Sequence, residues 1–157
     1  MNSDMIFVKS ASDSTIVINV PHIPLYRVWK KRGQKFPIER GILSQAYWEP
    51  SVEYLFTHGL LVAEDKEFLK EVNLVDEKDE PIVLELTDQL EKRMISLMPL
   101  SDFKAHLAKL SAPQIQELVD YAIMHHKELK MDRVELLGEV SKRNILKSIE
   151  NYKKSEE

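Results

Sequence analysis

The chain has 157 residues, of which 43% are hydrophobic and 31% are charged, and its net charge is −4. This is the composition of a globular protein with one domain or two small modules, and it argues against wholesale disorder. The acidic balance argues against a protein that coats nucleic acid non-specifically, and the absence of cysteine excludes disulfides, thiolate catalysis and cysteine-ligated metals. No stretch approaches the roughly 18 apolar residues of a membrane span, and the N-terminus lacks a secretory pattern, so we expect neither membrane insertion nor secretion.

Charge and aromatic residues are spread unevenly along the chain. Residues 1–60 carry seven Lys/Arg against five Asp/Glu, residues 61–90 carry three against ten, and residues 91–157 carry twelve against eleven. Nine of the twelve aromatic residues lie at or before Phe68. We therefore predict an α+β protein in three parts: a small β-rich module at 1–75, an acidic linker at 76–81, and a helical module of about five short helices at 82–154.

Short strands and one or two short helices are predicted for the first module. Runs of apolar and β-branched residues predict strands at 5–8, 15–20, 25–29, 36–38, 42–44 and 60–62. A helix is predicted at 51–58, with Pro50 near its first turn and Gly59 at its end, and a further helical turn or two at 64–72. Residues 30–35 form a basic turn in which Gly33 can take a positive φ.

In the second module, residues with helix-capping side chains predict where helices begin. The predicted starts are Thr87, Ser101, the capping box of Ser111 with Gln114, the capping box of Asp132 with Glu135, and Ser141. Pro99 is predicted to end the first of these helices, because proline cannot continue the hydrogen-bond ladder.

No catalytic, cofactor-binding or metal-binding motif is found, so we expect a non-enzymatic protein without a cofactor or metal. The sequence has no GxSxG, GxGxxG, GxxxxGK[ST] or HExxH pattern. His125 and Glu128 have a spacing that could share a metal, but we interpret His125 as solvated and His126 as the edge of an apolar stripe. The acidic run in residues 64–80 is interpreted as a solvated face or a docking patch for a basic partner.

One candidate interface combines basic and aromatic residues of the first module. Its predicted members are Trp29, Lys31, Arg32 and Trp48. Basic residues among aromatic rings are typical of a single-strand nucleic-acid surface, and the same residue types are enriched at protein–protein interfaces. The alternative is that the rings fill the core of the small module while the cations decorate a turn.

A second candidate surface is the last helix, whose predicted nucleic-acid contacts are Lys142, Arg143 and Lys147. The helix follows a short helix across a tight connection, an order found in helix-turn-helix proteins. Helical hairpins of this kind are also common as purely structural elements. This reading gives the alternative function of a small nucleic-acid-binding regulator that uses the last helix or the basic turn.

Two stretches carry a resemblance to a known class of proteins. Residues 23–33 and 52–61 resemble small N-terminal β modules of tailed-bacteriophage proteins, and residues 110–123 and 136–149 are similar to helical tails of phage structural proteins. The resemblance implies a capsid- or tail-associated accessory part of a virion, located in the particle or the host cytoplasm. It implies binding to other virion proteins, and to further copies of itself, without chemistry. It transfers no functional residue to this chain.

Overall fold

The computed structural model describes residues 4–156 of the chain. The chain divides into two compact units, with the boundary between Glu85 and Leu86. Among the described residues, the first unit holds all the strands and three short helices, and the second unit is helical. The predicted α+β class is therefore confirmed.

The first unit contains a three-stranded sheet, a separate hairpin and three helices within its described part. The strands are β1 (Met5–Ser10), β2 (Ile16–Val20), β3 (Leu25–Trp29), β4 (Lys35–Glu39) and β5 (Leu61–Ala63). The helices are α1 (Arg40–Tyr47), α2 (Pro50–Thr57) and α3 (Lys66–Glu71). The sheet is antiparallel in the order β4-β1-β5, and β2 pairs with β3 in the hairpin.

Strand β1 lies at the centre of the sheet, and its side chains alternate in burial. Ile6 and Val8 face the core of the first unit, whereas Phe7 between them is half-exposed on the opposite face. The register places Ile38 of β4 opposite Ile6, so these two side chains point to the same face of the sheet, and both are buried. A shift of β4 by one residue against β1 would turn the apolar side chains of β4 to solvent, and this cost specifies the register.

Strand β4 is an outer strand of the sheet and carries Pro37 at its middle. The N–H of Arg40 donates to Asp4 O at 2.8 Å, and the N–H of Ser10 donates to Gln34 O at 2.9 Å. Hydrogen-bonded pairs alternate along an antiparallel ladder, so the nitrogen of Pro37 lies on the outer edge between these bonded positions. Proline therefore costs the sheet no hydrogen bond at this position.

Residues 42–44 were predicted as a strand, and this prediction is wrong because they lie within α1. The helix buries Leu43, Ala46 and Tyr47, at the three- and four-residue spacing of one helix face. An apolar run of three residues is too short to reveal its period, so packing against the core decides its structure.

Residues 76–81, predicted as an acidic linker, form a closed turn within the first unit. Val75 pairs with Pro81 in an antiparallel bridge that closes the segment. Asp76 Oδ1 accepts the N–H of Lys78 at 2.8 Å and that of Glu80 at 3.0 Å, and a short carboxylate that bonds its own backbone in this way closes a turn. The boundary between the units consequently falls after residue 85.

The second unit contains five α-helices among its described residues. They are α4 (Asp88–Lys92), α5 (Leu100–Lys109), α6 (Ala112–Met124), α7 (Met131–Ser141) and α8 (Ile145–Ser155). Helix α4 continues directly into a π-helical segment, Arg93–Leu97. Helix α6 packs against α4, α7 and α8, and α7 also packs against α8.

Two predicted caps are confirmed at the starts of α4 and α6. Thr87 Oγ1 accepts the N–H of Leu90 at 3.1 Å. Ser111 and Gln114 form the reciprocal capping box, in which each side chain bonds the backbone of the other residue. Both motifs satisfy N–H groups that the first turn of a helix leaves without a partner.

The other predicted caps are displaced by two or three residues, to Pro99, Lys130 and Asn144. Helix α5 begins one residue before Ser101. Helix α7 begins one residue before Asp132, whose carboxylate instead pairs with Arg133 at 2.8 Å. Helix α7 runs through Ser141, so Asn144 caps α8 in its place.

A buried arginine of α7 donates hydrogen bonds to two backbone carbonyls within and at the end of the π-helical segment. The N–H of Met98 donates to Arg93 O, which is the five-residue step of a π-helix. The same step from Met94 O leads to Pro99, which has no N–H to donate. Arg133 Nε donates to Met94 O at 3.1 Å, and its Nη2 donates to Met98 O. Arg133 is only 1% exposed, so it holds the segment to α7 from inside the unit.

Candidate functional site

Trp29, the first of the predicted interface residues, lies in the core of the first unit. It is fully buried, its Nε1 donates to Val8 O at 3.0 Å, and its ring meets Phe36 edge-on with centroids 5.6 Å apart. It shares one face of β3 with the buried Leu25, four residues earlier, which is the signal that places it inside. The prediction that Trp29 is an exposed anchor is therefore wrong.

The two cations of the basic turn differ in what they can contact. Lys31 is exposed, whereas the Arg32 side chain is 11% exposed and lies 3.6 Å from the Asp13 carboxylate. Gly33 has the expected positive φ of 90°, and its N–H donates to Ser10 O at 2.8 Å. The turn is thus tied to β1, and only Lys31 of the predicted pair extends into solvent.

Trp48 is the predicted aromatic interface residue that the structure leaves exposed to a partner. It is 59% exposed and stands edge-on to the buried Tyr47, with centroids 5.1 Å apart. It lies between α1 and α2, beside Glu49, whose carboxylate contacts His22 Nε2 at 2.9 Å, and beside the exposed Pro50. We name Trp48, Glu49, Pro50 and His22 the Trp48 corner. It presents an exposed indole beside the buried Tyr47, with polar groups around it.

Asp65 joins α3 to α1 through two sets of hydrogen bonds. Its Oδ1 accepts the N–H of Phe68 at 2.9 Å, and its Oδ2 accepts from Arg40 Nη2 at 2.7 Å. Partial burial works to raise the pKa of Asp65, but the Phe68 N–H and the Arg40 guanidinium outweigh it, and the net pKa is lowered. This carboxylate is held ionised as a cap and a link between helices.

Arg143 is bonded to side chains of α6, whereas the predicted nucleic-acid contact requires a cation that is free to bind phosphate. Its Nη1 donates to Asp120 Oδ1 at 2.8 Å and to Gln116 Oε1 at 3.1 Å. Gln116 Nε2 in turn donates to Ser141 O at 3.1 Å. Arg143 therefore fastens the α7–α8 connection to α6, and this role was missed because partners 23 residues apart share no local sequence signal.

Lys142 and Lys147 remain exposed on either side of the start of α8. Lys142 ends α7 in the left-handed region with a φ of 61°, and three residues connect the helices, as the predicted tight connection requires. Gly138 makes room for this connection, because a Cβ at that position would lie 3.3 Å from Arg143 O. The structure thus brings the three predicted cations to one helix junction but leaves only the two lysines without an acidic partner in the described part of the chain.

A groove of about 540 Å³ lies between α6 and α8. It is lined by Asp120, Ile123 and Met124 of α6, by Arg143, and by Ser148, Asn151 and Tyr152 of α8. It is wide open to solvent, and its lining mixes apolar side chains with the Arg143–Asp120 ion pair. No sequence pattern indicates this groove, because an apolar stripe along a single helix gives no sign of a gap between that helix and its neighbour.

The described residues thus offer two surfaces for a partner, the Trp48 corner in the first unit and the groove in the second. Within residues 4–156, no group of three or more His, Asp or Glu side chains is placed to hold a metal ion. No helix in that part of the chain is long and apolar enough to cross a bilayer. Comparisons with family models, with curated proteins and with solved structures found no match for the chain.

Proposed function

We propose that the chain is a non-enzymatic structural or docking protein that acts through protein–protein contacts, as a capsid- or tail-associated component of a bacteriophage particle. The observation that carries the docking part is the exposure of Trp48 beside the buried Tyr47 in the first unit. The virion setting rests on the resemblance of the two modules to phage structural proteins.

An exposed tryptophan is a favourable anchor for a protein partner. Its ring carries a large apolar area at a low cost in side-chain entropy, and the contact with Tyr47 already restricts the Trp48 ring. The polar pair of Glu49 and His22 beside it provides the rim that excludes water around such an anchor. Truncating an anchor of this type costs binding about 2 kcal/mol or more.

A photo-crosslinking residue at position 48 tests this proposal in cells that produce the particle. The matched control is the same residue at Tyr26, which is 60% exposed on β3 and outside the corner. We expect the chain to co-purify with particles, and position 48 to form an adduct with one particle protein that position 26 does not form. Equal adducts at both positions contradict the Trp48 anchor, and a chain absent from purified particles contradicts the virion setting.

The alternative function, a small nucleic-acid-binding regulator, is supported by the α7–α8 junction. The three-residue connection and the exposed Lys142 and Lys147 are features of a helix that approaches a duplex. Two observations oppose it. Arg143 is bound to Asp120, and α7 carries exposed carboxylates that phosphates would repel: Asp132, Glu135 and Glu139.

A duplex-DNA titration of the Lys142→Ala/Lys147→Ala variant separates the two functions. This double variant leaves the Arg143–Asp120 ion pair intact, so a loss of binding reports lost contacts rather than a damaged helix junction. The regulator function predicts parent binding that weakens steeply with salt and is lost in the variant. A parent that does not bind DNA leaves the docking function, whereas equal binding by parent and variant excludes Lys142 and Lys147 as the contacts and directs the test to the basic turn.

A further inference from the structure

We propose that the groove between α6 and α8 binds the acidic turn at residues 76–82 of a second copy of this chain. The proposal concerns a surface of the second unit and does not depend on the Trp48 corner. It follows from what the groove offers, what the turn carries, and the fact that one chain contains both.

The groove offers a positioned guanidinium. Arg143 Nη1 is committed to Asp120 and Gln116, while Nε and Nη2 have no acceptor within residues 4–156. A guanidinium that is already held in place loses little freedom when its remaining N–H groups donate to a carboxylate. Beside it, Met124 and Tyr152 provide apolar contact area. The groove thus suits a carboxylate next to an apolar side chain.

The margin of the groove that α8 forms carries a net positive charge, with Lys154 lying 3.7 Å from the Glu150 carboxylate. Residues 142–154 carry five Lys/Arg and a single carboxylate, Glu150. Lys147 and Lys154 lie four residues before and three residues after Asn151, which lines the groove, so they share its side of α8. A partner with several carboxylates is therefore attracted to this margin, and a partner with cations is repelled.

The turn at residues 76–82 carries the complementary groups. All seven residues are exposed, and the Glu77 and Glu80 carboxylates have no ion-pair partner in the described part of the chain. Ile82, at the end of the turn, is 52% exposed. The Asp76 side chain fixes the turn through two backbone hydrogen bonds, so little conformational entropy is lost when it enters a groove.

A contact between this turn and this groove joins different surfaces of two copies. Such a head-to-tail contact repeats from copy to copy, and it closes into a ring or extends into a filament. The apolar lining from Ile123, Met124 and Tyr152 favours a protein occupant over a nucleic acid, because a protein offers apolar side chains to cover it and a phosphate backbone does not.

Light scattering on the full chain, across a range of concentrations and at low and high salt, measures this association. The groove variant is Lys147→Glu/Lys154→Glu, the turn variant is Glu77→Lys/Glu80→Lys, and a third chain carries all four changes. The matched control, Lys104→Glu/Lys109→Glu, makes the same charge change at exposed positions of α5. All the altered residues are exposed, so each variant is expected to fold.

We expect the parent and the control to associate, and high salt to weaken the association. The groove and turn variants should each weaken it more than about tenfold, because each places like charges opposite one another. Mixing these two variants, or combining the changes in one chain, should restore association because opposite charges then meet again. A parent that stays at 18.3 kDa at every concentration overturns the proposal, and so does association that both variants leave unchanged.

Discussion

Replacing Arg133 with methionine tests whether a buried cation holds the π-helical segment of the second unit. Methionine keeps most of the side-chain volume and removes every donor. The Nε bond to Met94 O and the Nη2 bond to Met98 O are lost, as is the contact of the guanidinium with the Phe103 ring, whose centroid lies 5.0 Å away.

The expected loss follows from the two carbonyls that the substitution leaves buried. Each orphaned acceptor costs about 1–3 kcal/mol, and Pro99 prevents Met94 O from finding a local N–H. The lost cation–π contact adds about 1 kcal/mol, and apolar packing of the methionine recovers about as much. We therefore expect Arg133→Met to lower the free energy of unfolding by about 2–6 kcal/mol, and Arg133→Lys, which can bond one carbonyl, by about half of that.

Urea unfolding followed by circular dichroism at helical wavelengths measures this loss. Both tryptophans lie in the first unit, so tryptophan fluorescence recorded in parallel follows that unit separately. The control is Arg93→Met, which removes an exposed cation from the same π-helical segment and is expected to stay within about 0.5 kcal/mol of the parent. An Arg133→Met variant that unfolds at the parent midpoint would refute the reasoning.

Three further substitutions test local features. Asp65→Asn keeps the cap on Phe68 N–H but removes the carboxylate charge that pairs with Arg40. Because the pKa of Asp65 is lowered in the folded state, its negative charge stabilises the protein above the unfolded pKa of about 4, and this stabilisation is lost as pH falls through the folded pKa. The difference in the free energy of unfolding between parent and variant should therefore shrink from pH 7 to acid pH. A difference that does not change with pH would argue against this link. Lys142→Gly removes the strain of the left-handed φ, about 1–2 kcal/mol, but it also raises the conformational entropy of the unfolded chain. We therefore expect the free energy of unfolding, followed by thermal unfolding, to rise by about 0.5 kcal/mol. A lower Tm would contradict this expectation. Gly33→Ala should cost about 1 kcal/mol by backbone strain alone, since no atom lies within 4 Å of the added Cβ, and an unchanged Tm would count against it.

Much of the fold was predictable because it depends on local patterns. The β-branched run of β2, the capping box at Ser111 and the positive φ of Gly33 are all set by residues close together in sequence. The short segment 42–44 was misassigned, because Leu43 becomes helical through packing with residues beyond that segment. Local propensity decides such a case only when the run is long enough to show its period.

The candidate sites were less predictable, because they depend on which residues meet in space. An aromatic residue beside cations looks the same in sequence whether it is Trp29, which is buried, or Trp48, which is exposed. The alternation of β3 with Leu25 distinguishes the two once the strand is known. The Arg143–Asp120 pair and the groove beside it arise from the packing of α6 against α8, for which the sequence has no local signal.

The outer strands of the sheet bear on how the protein behaves when it is crowded. Exposed strand edges are templates on which further strands can add, and this is a common route to aggregation. Pro37 removes a donor from the outer edge of β4, and β5 on the other side is only three residues long. Neither edge offers a long, regular row of donors and acceptors, so this sheet is protected from uncontrolled growth at high protein concentration. Such protection leaves side-chain contacts, rather than backbone pairing, to decide which molecules this sheet joins.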